Sequence, residues 1–197
     1  MSESPGSVVA GLVLAAGAGR RFGMPKALVR HRGRLFVEHA TGVLRSAGCS
    51  PVLAVLGASA DQVRAEAELA GVHTVSNSDW ASGMGSSLRA GIDALTVVTE
   101  PVAVIVLPVD TPGVTVEAVT RLTALASPNA LARATYHGLP GHPALIGRVH
   151  WAAVMASATG NEGARSYFRA HPPLDVPCAD VADGRDVDRP EDLPPLS

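Results

Sequence analysis

Over the first part of the chain, short continuous apolar runs alternate with stretches in which apolar residues recur at helical spacing. Short apolar runs that predict strands occupy residues 8–14, 51–56, 72–76 and 102–107. Between them, apolar residues recur at helical spacing, which predicts helices over residues 35–47, 61–70 and 86–97. The run at 102–107 is continuously apolar, as expected of a strand buried on both faces. Strands that alternate with helices indicate a Rossmann-like α/β fold, with a mostly parallel sheet and helices on both faces.

The remaining pattern predicts further elements of the same domain. They are helices over residues 114–126, 149–158 and 162–170, strands over 130–136, 144–146 and 174–178, and a turn at 138–142. A proline-rich tail follows. No internal repeat, low-complexity segment or linker divides the chain. We therefore predict a disordered N-terminus at residues 1–7 and one domain over residues 8–197.

The composition of the 197-residue chain narrows the class of protein. Hydrophobic residues make up 47% but aromatic residues only 4%, so the core must be built mainly from alanine, valine and leucine. The formal net charge is −2 and both signs are mixed along the chain, so no basic face indicates a nucleic-acid or membrane partner. The start lacks the pattern of a signal peptide, and no apolar run reaches membrane-spanning length. We expect a cytoplasmic protein.

The loop after the first predicted strand is the strongest candidate for a binding site. Its glycines, which let backbone N–H groups approach a ligand closely, are Gly17, Gly19 and Gly23. Arg21 and Lys26, with Arg20 beside them, add positive charge, and this combination suits a polyphosphate. The loop lacks the Gly-Lys-Ser/Thr of a Walker loop and the third glycine of a dinucleotide fingerprint. On these residues alone, an ordinary strand-to-helix turn with solvated arginines is an alternative.

Two further loops bring polar residues to the same predicted edge of the sheet. In parallel α/β sheets, ligands bind at the carboxyl ends of the strands. Asn77 follows the strand at 72–76, and Asp110 follows the strand at 102–107. Asp110 could cap the next helix, or it could bind Mg²⁺, which proteins usually hold with one or two carboxylates and substrate phosphates. The residues alone therefore predict a parallel α/β protein that binds a nucleotide or a phosphate.

The complete pattern around the first loop resembles a known signature. It consists of Leu14-Ala15-Ala16-Gly17 followed by Arg21, Gly23, Pro25 and Lys26. This pattern is similar to that of the nucleotidyltransferases of the molybdenum-cofactor type, which are distant relatives of the nucleotide-sugar pyrophosphorylases. The resemblance implies the fold of the nucleotide-diphospho-sugar transferases. It also implies that the nucleotide is bound by Leu14, Ala15, Ala16, Gly17, Arg21 and Lys26, with Arg21 and Lys26 catalytic.

The same resemblance assigns Mg²⁺ as the cofactor and names its ligands. Asp110 would be a catalytic residue and the first metal ligand. The segment at 186–193, Asp-Val-Asp-Arg-Pro-Glu-Asp-Leu, resembles the family's terminal Asp-x-Asp-Thr-Pro-Glu-Asp-Leu motif, with Arg189 in place of threonine. This implies that Asp188 is the second metal ligand and Asp186 a supporting group. Without the resemblance, the segment would be interpreted as a solvated acidic tail.

The resemblance extends to the nucleoside. Residues 77–88 resemble the family's Asn-x-x-Trp/Tyr-x-x-Gly-Met/Leu-x-x-Ser segment, which implies that Asn77, Ser86 and Ser87 bind the nucleotide. Trp80 can stack on the base or serve as a rim anchor. In these enzymes Leu-Ala-Ala-Gly accompanies cytidine nucleotides, and the methyl group of Ala16 stands where glycine would leave room for a purine. CTP is therefore favoured over GTP as the substrate.

Two late segments concern the acceptor. The run Gly-Leu-Pro-Gly-His-Pro at 138–143 is similar to the Gly-x-x-Gly-His-Pro element of the cytidylyltransferase branch, which implies that Gly141 and His142 bind the acceptor. A lone histidine can also be a structural residue. Many relatives carry Gly-Asp-x-Gly-Ala-Arg where this chain has Gly-Asn-Glu-Gly-Ala-Arg at 160–165, so Asn161 replaces an aspartate.

Together these resemblances imply a Mg²⁺-dependent cytidylyltransferase that moves CMP from CTP to molybdopterin or its molybdenum form and releases pyrophosphate. A molybdenum-dependent dehydrogenase would be the client that receives the product. One alternative is a nucleotidyltransferase that uses GTP or acts on a sugar or polyol phosphate. Another is a non-catalytic accessory protein that inserts the molybdenum cofactor into a client, and Asn161 keeps this alternative open because it removes a charge from the expected acceptor site.

Overall fold

The computed structural model describes residues 7–193 and contains a seven-stranded sheet with helices on both faces. The strands are β1 (Val9–Ala15), β2 (Arg30–His31), β3 (Arg34–Leu35), β4 (Val52–Leu56), β5 (His73–Ser76), β6 (Ala103–Pro108), β7 (Leu131–Tyr136), β8 (Leu139–Gly147) and β9 (Leu174–Pro177). The helices are α1 (Phe36–Ser46), α2 (Ala60–Glu66), α3 (Met84–Thr96), α4 (Val116–Thr123), α5 (Trp151–Ser157) and α6 (Arg165–Ala170). The predicted alternation of strands and helices is confirmed.

The strand order in the large sheet is β5-β4-β1-β6-β8-β7-β9. Strands β5, β4, β1 and β6 pair in parallel, and β7 pairs in parallel with β9. Strand β8 runs antiparallel to both of its neighbours. The sheet is therefore mixed but mostly parallel, as predicted, and the loops after β1, β5 and β6 leave it at the same edge.

Alternating side chains of β1 build the core on both faces of the sheet. Val9 and Val13 pack on the side covered by α1 and α4, whereas Leu12 and Leu14 pack on the side covered by α3 and α5. Helix α3 lies directly against β1, because a Cβ atom at Gly91 would stand only 2.4 Å from Leu12 Cδ1. This close packing places the first turn of α3 beside the loop that follows β1.

The turn predicted at 138–142 is wrong in its extent, because only Gly138 of that range belongs to the turn. The chain turns at His137 and Gly138, whose φ angles of 52° and 82° are both positive, and β8 already begins at Leu139. Prolines and glycines in this segment suggested a break, but they are accommodated where the β7–β8 pairing shifts register between Arg133 and Thr135. Gly141 and His142 therefore lie on a strand rather than in a turn.

Other boundaries also differ from the sequence prediction. The β2–β3 hairpin, which turns at Arg32 and Gly33, was not predicted because each of its strands has only two residues. Helix α2 ends at Glu66 rather than at residue 70, and α6 begins at Arg165 rather than at residue 162. Such shifts are ordinary at helix ends, where the backbone lacks intrahelical partners.

Within residues 7–193, no helix has the length and apolar character needed to cross a membrane. The prediction for residues 1–7 lies outside the described residues except at Ser7, as does the end of the predicted domain, residues 194–197.

Candidate functional site

A cavity of about 340 Å³ opens at the carboxyl edge of the parallel strands. Its walls come from the loops after β1, β5 and β6 and from the segment before the C-terminus. The sequence-predicted residues among its lining are Leu14, Ala16, Gly17, Arg21, Lys26, Ser87, Asp110 and Asp188. The structure thus brings together most of the residues proposed to bind the nucleotide, and their binding roles stay predictions.

The loop after β1 folds back on itself, and Gly19 makes this possible. The carbonyl oxygen of Gly19 accepts hydrogen bonds from the backbone N–H groups of Phe22 and Gly23, each at 2.9 Å. Its φ of 61° is left-handed, and a Cβ atom there would lie 1.8 Å from the Met24 carbonyl oxygen. Gly17 faces open space, since a Cβ atom at this position would have no neighbour within 4 Å. The loop therefore presents backbone and basic side chains to the cavity.

Lys26 connects two carboxylates at the base of the cavity. Its ammonium group donates to Asp110 Oδ2 at 2.7 Å and to Asp188 Oδ1 at 2.6 Å. The Lys26 side chain is only 14% exposed. Burial by itself would lower the pKa of Lys26, but the charges and hydrogen bonds of Asp110 and Asp188 outweigh it and raise that pKa. The hydrogen bond from Lys26 in turn lowers the pKa of Asp188.

Lys26 is also the single lysine of the chain. The other fifteen of its sixteen lysine and arginine residues are arginines. An ammonium group is a compact point charge that can fit between two carboxylates, whereas a planar guanidinium is wider. The cluster of Lys26, Asp110 and Asp188 is thus the one place where the chain uses lysine.

The position of Asp188 is fixed by its neighbours in sequence. The side chain of Val187 is buried in the core, and its backbone N–H donates to the Asp110 carbonyl oxygen at 2.8 Å. The carboxylate of Asp192 accepts hydrogen bonds from the backbone N–H groups of Asp188 and Arg189. The segment at 186–193 is therefore anchored against β6. Its sequence pattern had suggested either a metal-binding motif or a solvated tail.

The carboxylates suit a divalent cation only in part. Within residues 7–193, no group of three or more histidine, cysteine, aspartate or glutamate side chains could hold a metal ion. Asp110 and Asp188 both pair with Lys26, and Asp188 Oδ2 also lies 2.9 Å from Arg21 Nη1. Mg²⁺ typically needs only one or two carboxylates when substrate phosphates complete its coordination. The pair therefore fits a metal that binds together with a phosphate ligand.

Asn77 and Ser86 lie behind the cavity wall rather than on it. The Asn77 amide donates to Ser86 Oγ at 2.8 Å and to Ser87 Oγ at 3.1 Å, and its oxygen accepts from the Asp79 N–H. The Ser86 hydroxyl is engaged with the carbonyl oxygens of Asp79 and Gly83. Both residues are buried, so their hydrogen bonds hold the loop after β5 against α3. Ser87 faces the cavity, and nucleotide contact by all three residues stays a prediction.

Ala15 also differs from its neighbours. Its side chain packs in the core on the α1 side, while Leu14 and Ala16 belong to the opposite side and line the cavity. Ala15 can reach a ligand only through its backbone.

Trp80 lines the cavity next to Gly83, which is consistent with either a rim anchor or a stacking partner. Asn161, expected near the acceptor, lines this same cavity.

Gly141 and His142 line a second cavity, of about 200 Å³. A Cβ atom at Gly141 would lie 2.8 Å from the Tyr136 ring, so glycine is required there. Burial lowers the pKa of His142 to about 4, with Arg165 adding to the effect and Asp110 opposing it. His142 is therefore a neutral imidazole at pH 7. The tyrosine hydroxyl of Tyr136 donates to the His142 carbonyl oxygen at 2.7 Å.

The depressed pKa of His142 predicts a specific acid sensitivity. Between about pH 6.5 and pH 4 the unfolded chain binds a proton at this histidine that the native chain does not, so stability falls as the pH falls through this range. The full shift corresponds to up to ~3 kcal/mol. We expect His142→Gln to lose less stability than the native chain between pH 7 and pH 4.5, measured by urea unfolding at each pH. Equal losses in the two proteins would contradict the shift.

Sequence reasoning did not identify several residues of the second cavity. Its lining includes Arg133, Arg165 and Phe168, none of which was proposed as a site residue. Arg165 ends the Gly-Ala-Arg run at 163–165, which was the available signal. Arg133 and Phe168 carried no signal, because their positions relative to β8 depend on the sheet order.

Residues 11–175 match the family model described as the MobA-like NTP transferase domain. The chain is 39% identical to the nicotine blue oxidoreductase of Paenarthrobacter nicotinovorans over 203 residues, which cover 98% of each protein.

Solved structures show the same architecture. The homolog of Mycobacterium tuberculosis Rv0371c from Mycobacterium sp. strain JC1 superposes with a TM-score of 0.79 at 28% identity, over 93% of this chain and 92% of that one. Rv0371c of Mycobacterium tuberculosis in complex with manganese gives a TM-score of 0.71 at 25% identity, over 86% of this chain and 88% of that one.

Proposed function

Because the chain belongs to the MobA-like NTP transferase family, we propose that it transfers CMP from CTP to the terminal phosphate of a molybdopterin-type acceptor and releases pyrophosphate. The observation that carries this proposal is the cluster of Lys26, Asp110 and Asp188 at the base of a cavity whose rim is a glycine-rich, basic loop. Such a cavity suits a triphosphate, and a second cavity adjoins it for the acceptor.

In the proposed reaction, an oxygen of the acceptor phosphate attacks the α-phosphorus of CTP, and the bond to the bridging oxygen of pyrophosphate breaks. The acceptor oxygen is already negatively charged, so the protein needs no nucleophile and no strong base. Lys26 and Arg21 would carry the charge that develops on the leaving pyrophosphate. Asp110 and Asp188 would hold a divalent cation, whose charge offsets that of the phosphates. The manganese bound by Rv0371c supports a divalent cation in this fold.

Cytidine is favoured by Ala16, whose side chain is buried at the cavity wall and leaves less room than glycine would. We expect Ala16→Gly to improve GTP binding relative to CTP by roughly tenfold, because one methyl group in a pocket is worth about 1–3 kcal/mol. Ala18→Gly is the matched control, since Ala18 lines the same cavity in the same loop. An unchanged CTP-to-GTP ratio in Ala16→Gly, measured by competition titration, would remove Ala16 as the basis of base choice.

Transfer itself is tested by incubating the protein with α-labelled CTP, Mg²⁺ and molybdopterin. The proposal predicts a labelled cytidylyl product and one equivalent of pyrophosphate. If the protein binds the nucleotide but forms no labelled product, molybdopterin is not the acceptor. The accessory-protein alternative predicts no product but sustained insertion of the cofactor into a client dehydrogenase, including by a Lys26→Ala variant.

A second candidate is an oxidoreductase, which the 39% identity to nicotine blue oxidoreductase favours. An oxidoreductase needs a source of reducing equivalents, and the diphosphate of NADH or NADPH could occupy the same basic loop. Reduction, however, gives no role to two carboxylates converging on Lys26. Bleaching of nicotine blue by the protein with NADH or NADPH, without any response to CTP, would establish this candidate and replace the transferase.

A further inference from the structure

Asn161 is a neutral polar side chain in the wall of the first cavity. Across residues 7–193, its amide forms no hydrogen bond with another residue. The charged side chains of the same wall are engaged differently, since Lys26 binds both Asp110 and Asp188. The donor and acceptor groups of Asn161 are therefore available to a ligand of this cavity.

The loop that carries Asn161 is held against the start of α3. The backbone N–H of Gly85 donates to the Gly160 carbonyl oxygen at 2.8 Å. A Cβ atom at Gly83 would lie 2.5 Å from the Gly160 carbonyl carbon and 2.7 Å from Asn161 Oδ1. Because Gly83 has no side chain, the two loops approach closely, and Asn161 is fixed at the cavity wall.

The charged and uncharged walls of the first cavity lie on opposite sides of β1. In the sheet order β5-β4-β1-β6, the loop after β6 brings Asp110 from one side, and the loop after β5 brings Trp80 and Gly83 from the other. Asn161 belongs to the second side because it packs on Gly83. A nucleotide whose triphosphate lies at the basic loop and whose cation lies at Asp110 would therefore place its base beside Asn161 and Trp80.

We propose that Asn161 hydrogen-bonds the pairing edge of the base, and that it lets the protein accept UTP as well as CTP. This inference rests on the proposed nucleotidyl transfer and adds to it a residue for the base and a second nucleotide substrate. Asn161 is a specificity-determining residue and takes no part in the chemical step.

The chemistry of the amide group gives this tolerance. Asparagine offers an acceptor oxygen and an NH₂ donor side by side. Cytosine presents an amino donor at C4 beside the acceptor N3, whereas uracil presents an acceptor oxygen at C4 beside an N–H at N3. A half-turn of the amide exchanges its donor and acceptor, and no hydrogen bond from residues 7–193 opposes that turn. Asn161 can therefore match either pyrimidine, while Ala16 disfavours purines by size.

The test is a calorimetric titration of CTP and of UTP, each with Mg²⁺, into the native chain and its variants. We expect the native chain to bind both nucleotides with similar affinity. Asn161→Asp should favour CTP over UTP by at least about fivefold, because a carboxylate only accepts hydrogen bonds. Cytosine keeps an amino group to donate to it, whereas uracil has carbonyl oxygens on both sides of its single N–H. Asn161→Ala should weaken both nucleotides by a similar factor.

Thr159→Asp is the matched control for the added charge. Thr159 is exposed in the same loop but does not line the first cavity, so its substitution should leave the ratio of CTP to UTP affinity as in the native chain. Asn161 is also exposed, and we expect all these variants to fold.

The outcomes separate this inference from the proposed function. If Asn161→Asp has the native ratio of CTP to UTP affinity, or if the native chain binds CTP but not UTP, the role of Asn161 is refuted while nucleotidyl transfer stands. A change of the ratio in Thr159→Asp as large as that in Asn161→Asp would also refute it, because charge alone would then account for the effect. If the native chain binds neither nucleotide, the proposed function fails, and this inference fails with it.

Discussion

Lys26→Met is expected to slow transfer strongly and yet to strengthen the binding of Mn²⁺ in the absence of nucleotide. In the native chain the Lys26 ammonium group occupies the space between Asp110 and Asp188. A divalent cation that binds these carboxylates must meet the positive charge of Lys26. Two unit charges about 4 Å apart interact by about 4 kcal/mol at an effective dielectric constant near 20. Removing that repulsion should raise Mn²⁺ affinity at least tenfold, an effect that electron paramagnetic resonance titration of free Mn²⁺ measures directly.

The same substitution should lower turnover by about 10²–10³-fold, because it removes a charged group positioned on the phosphates. Lys26→Arg should not restore full activity, since a guanidinium spreads its charge over three nitrogens and does not reproduce the single nitrogen that lies 2.6–2.7 Å from both carboxylates. Arg20→Met is the control: Arg20 is exposed in the same loop and lies within ion-pair distance of neither Asp110 nor Asp188, so its loss should change Mn²⁺ affinity little. Weaker Mn²⁺ binding in Lys26→Met would show that Lys26 does not occupy a cation site.

Asp110→Asn is expected to abolish both transfer and the metal dependence of nucleotide binding. Asparagine keeps the shape of the side chain and leaves the backbone contact from Val187 to residue 110 intact, so the fold should persist. It removes one of the two charges that could hold a divalent cation. We expect the rate of pyrophosphate release to fall by at least about 10³-fold, because removing one partner of a charge pair in a partly buried site has a large energetic cost.

Two further variants locate this effect. Asp188→Asn should have a smaller effect than Asp110→Asn, since the Asp188 side chain is 35% exposed and that of Asp110 only 22%. Asp180→Asn, at an exposed aspartate paired with Arg121 away from both cavities, should leave activity unchanged. Full activity in Asp110→Asn, with native metal dependence, would remove this carboxylate from the site.

The strand–helix alternation and the parallel half of the sheet followed from the sequence because each strand is an apolar run bounded by polar loops. The full extent of β8 did not follow, since Pro140, Gly141 and Pro143 suggest a turn unless the register shift of β7 is known. Long-range pairing decides that segment, and local sequence does not encode it.

For the site, the loop after β1 and Asp110 were predictable because glycines, basic residues and a carboxylate lie next to predicted strands. Asp188 needed the family resemblance, since its position depends on the burial of Val187 and on a backbone bond to residue 110. Lys26 bridges Asp110, which is 84 positions away in the sequence, and Asp188, which is 162 positions away. Only the folded chain shows that these three residues meet.

The central claim is that the first cavity binds a cytidine triphosphate together with a divalent cation held by Asp110 and Asp188. The most direct measurement is a calorimetric titration of the native chain with CTP and with GTP, each with and without Mg²⁺, repeated on Asp110→Asn. We predict Mg²⁺-dependent binding of CTP in preference to GTP, and loss of that dependence in the variant. Binding of neither nucleotide, or CTP binding that ignores both Mg²⁺ and Asp110, would contradict the claim.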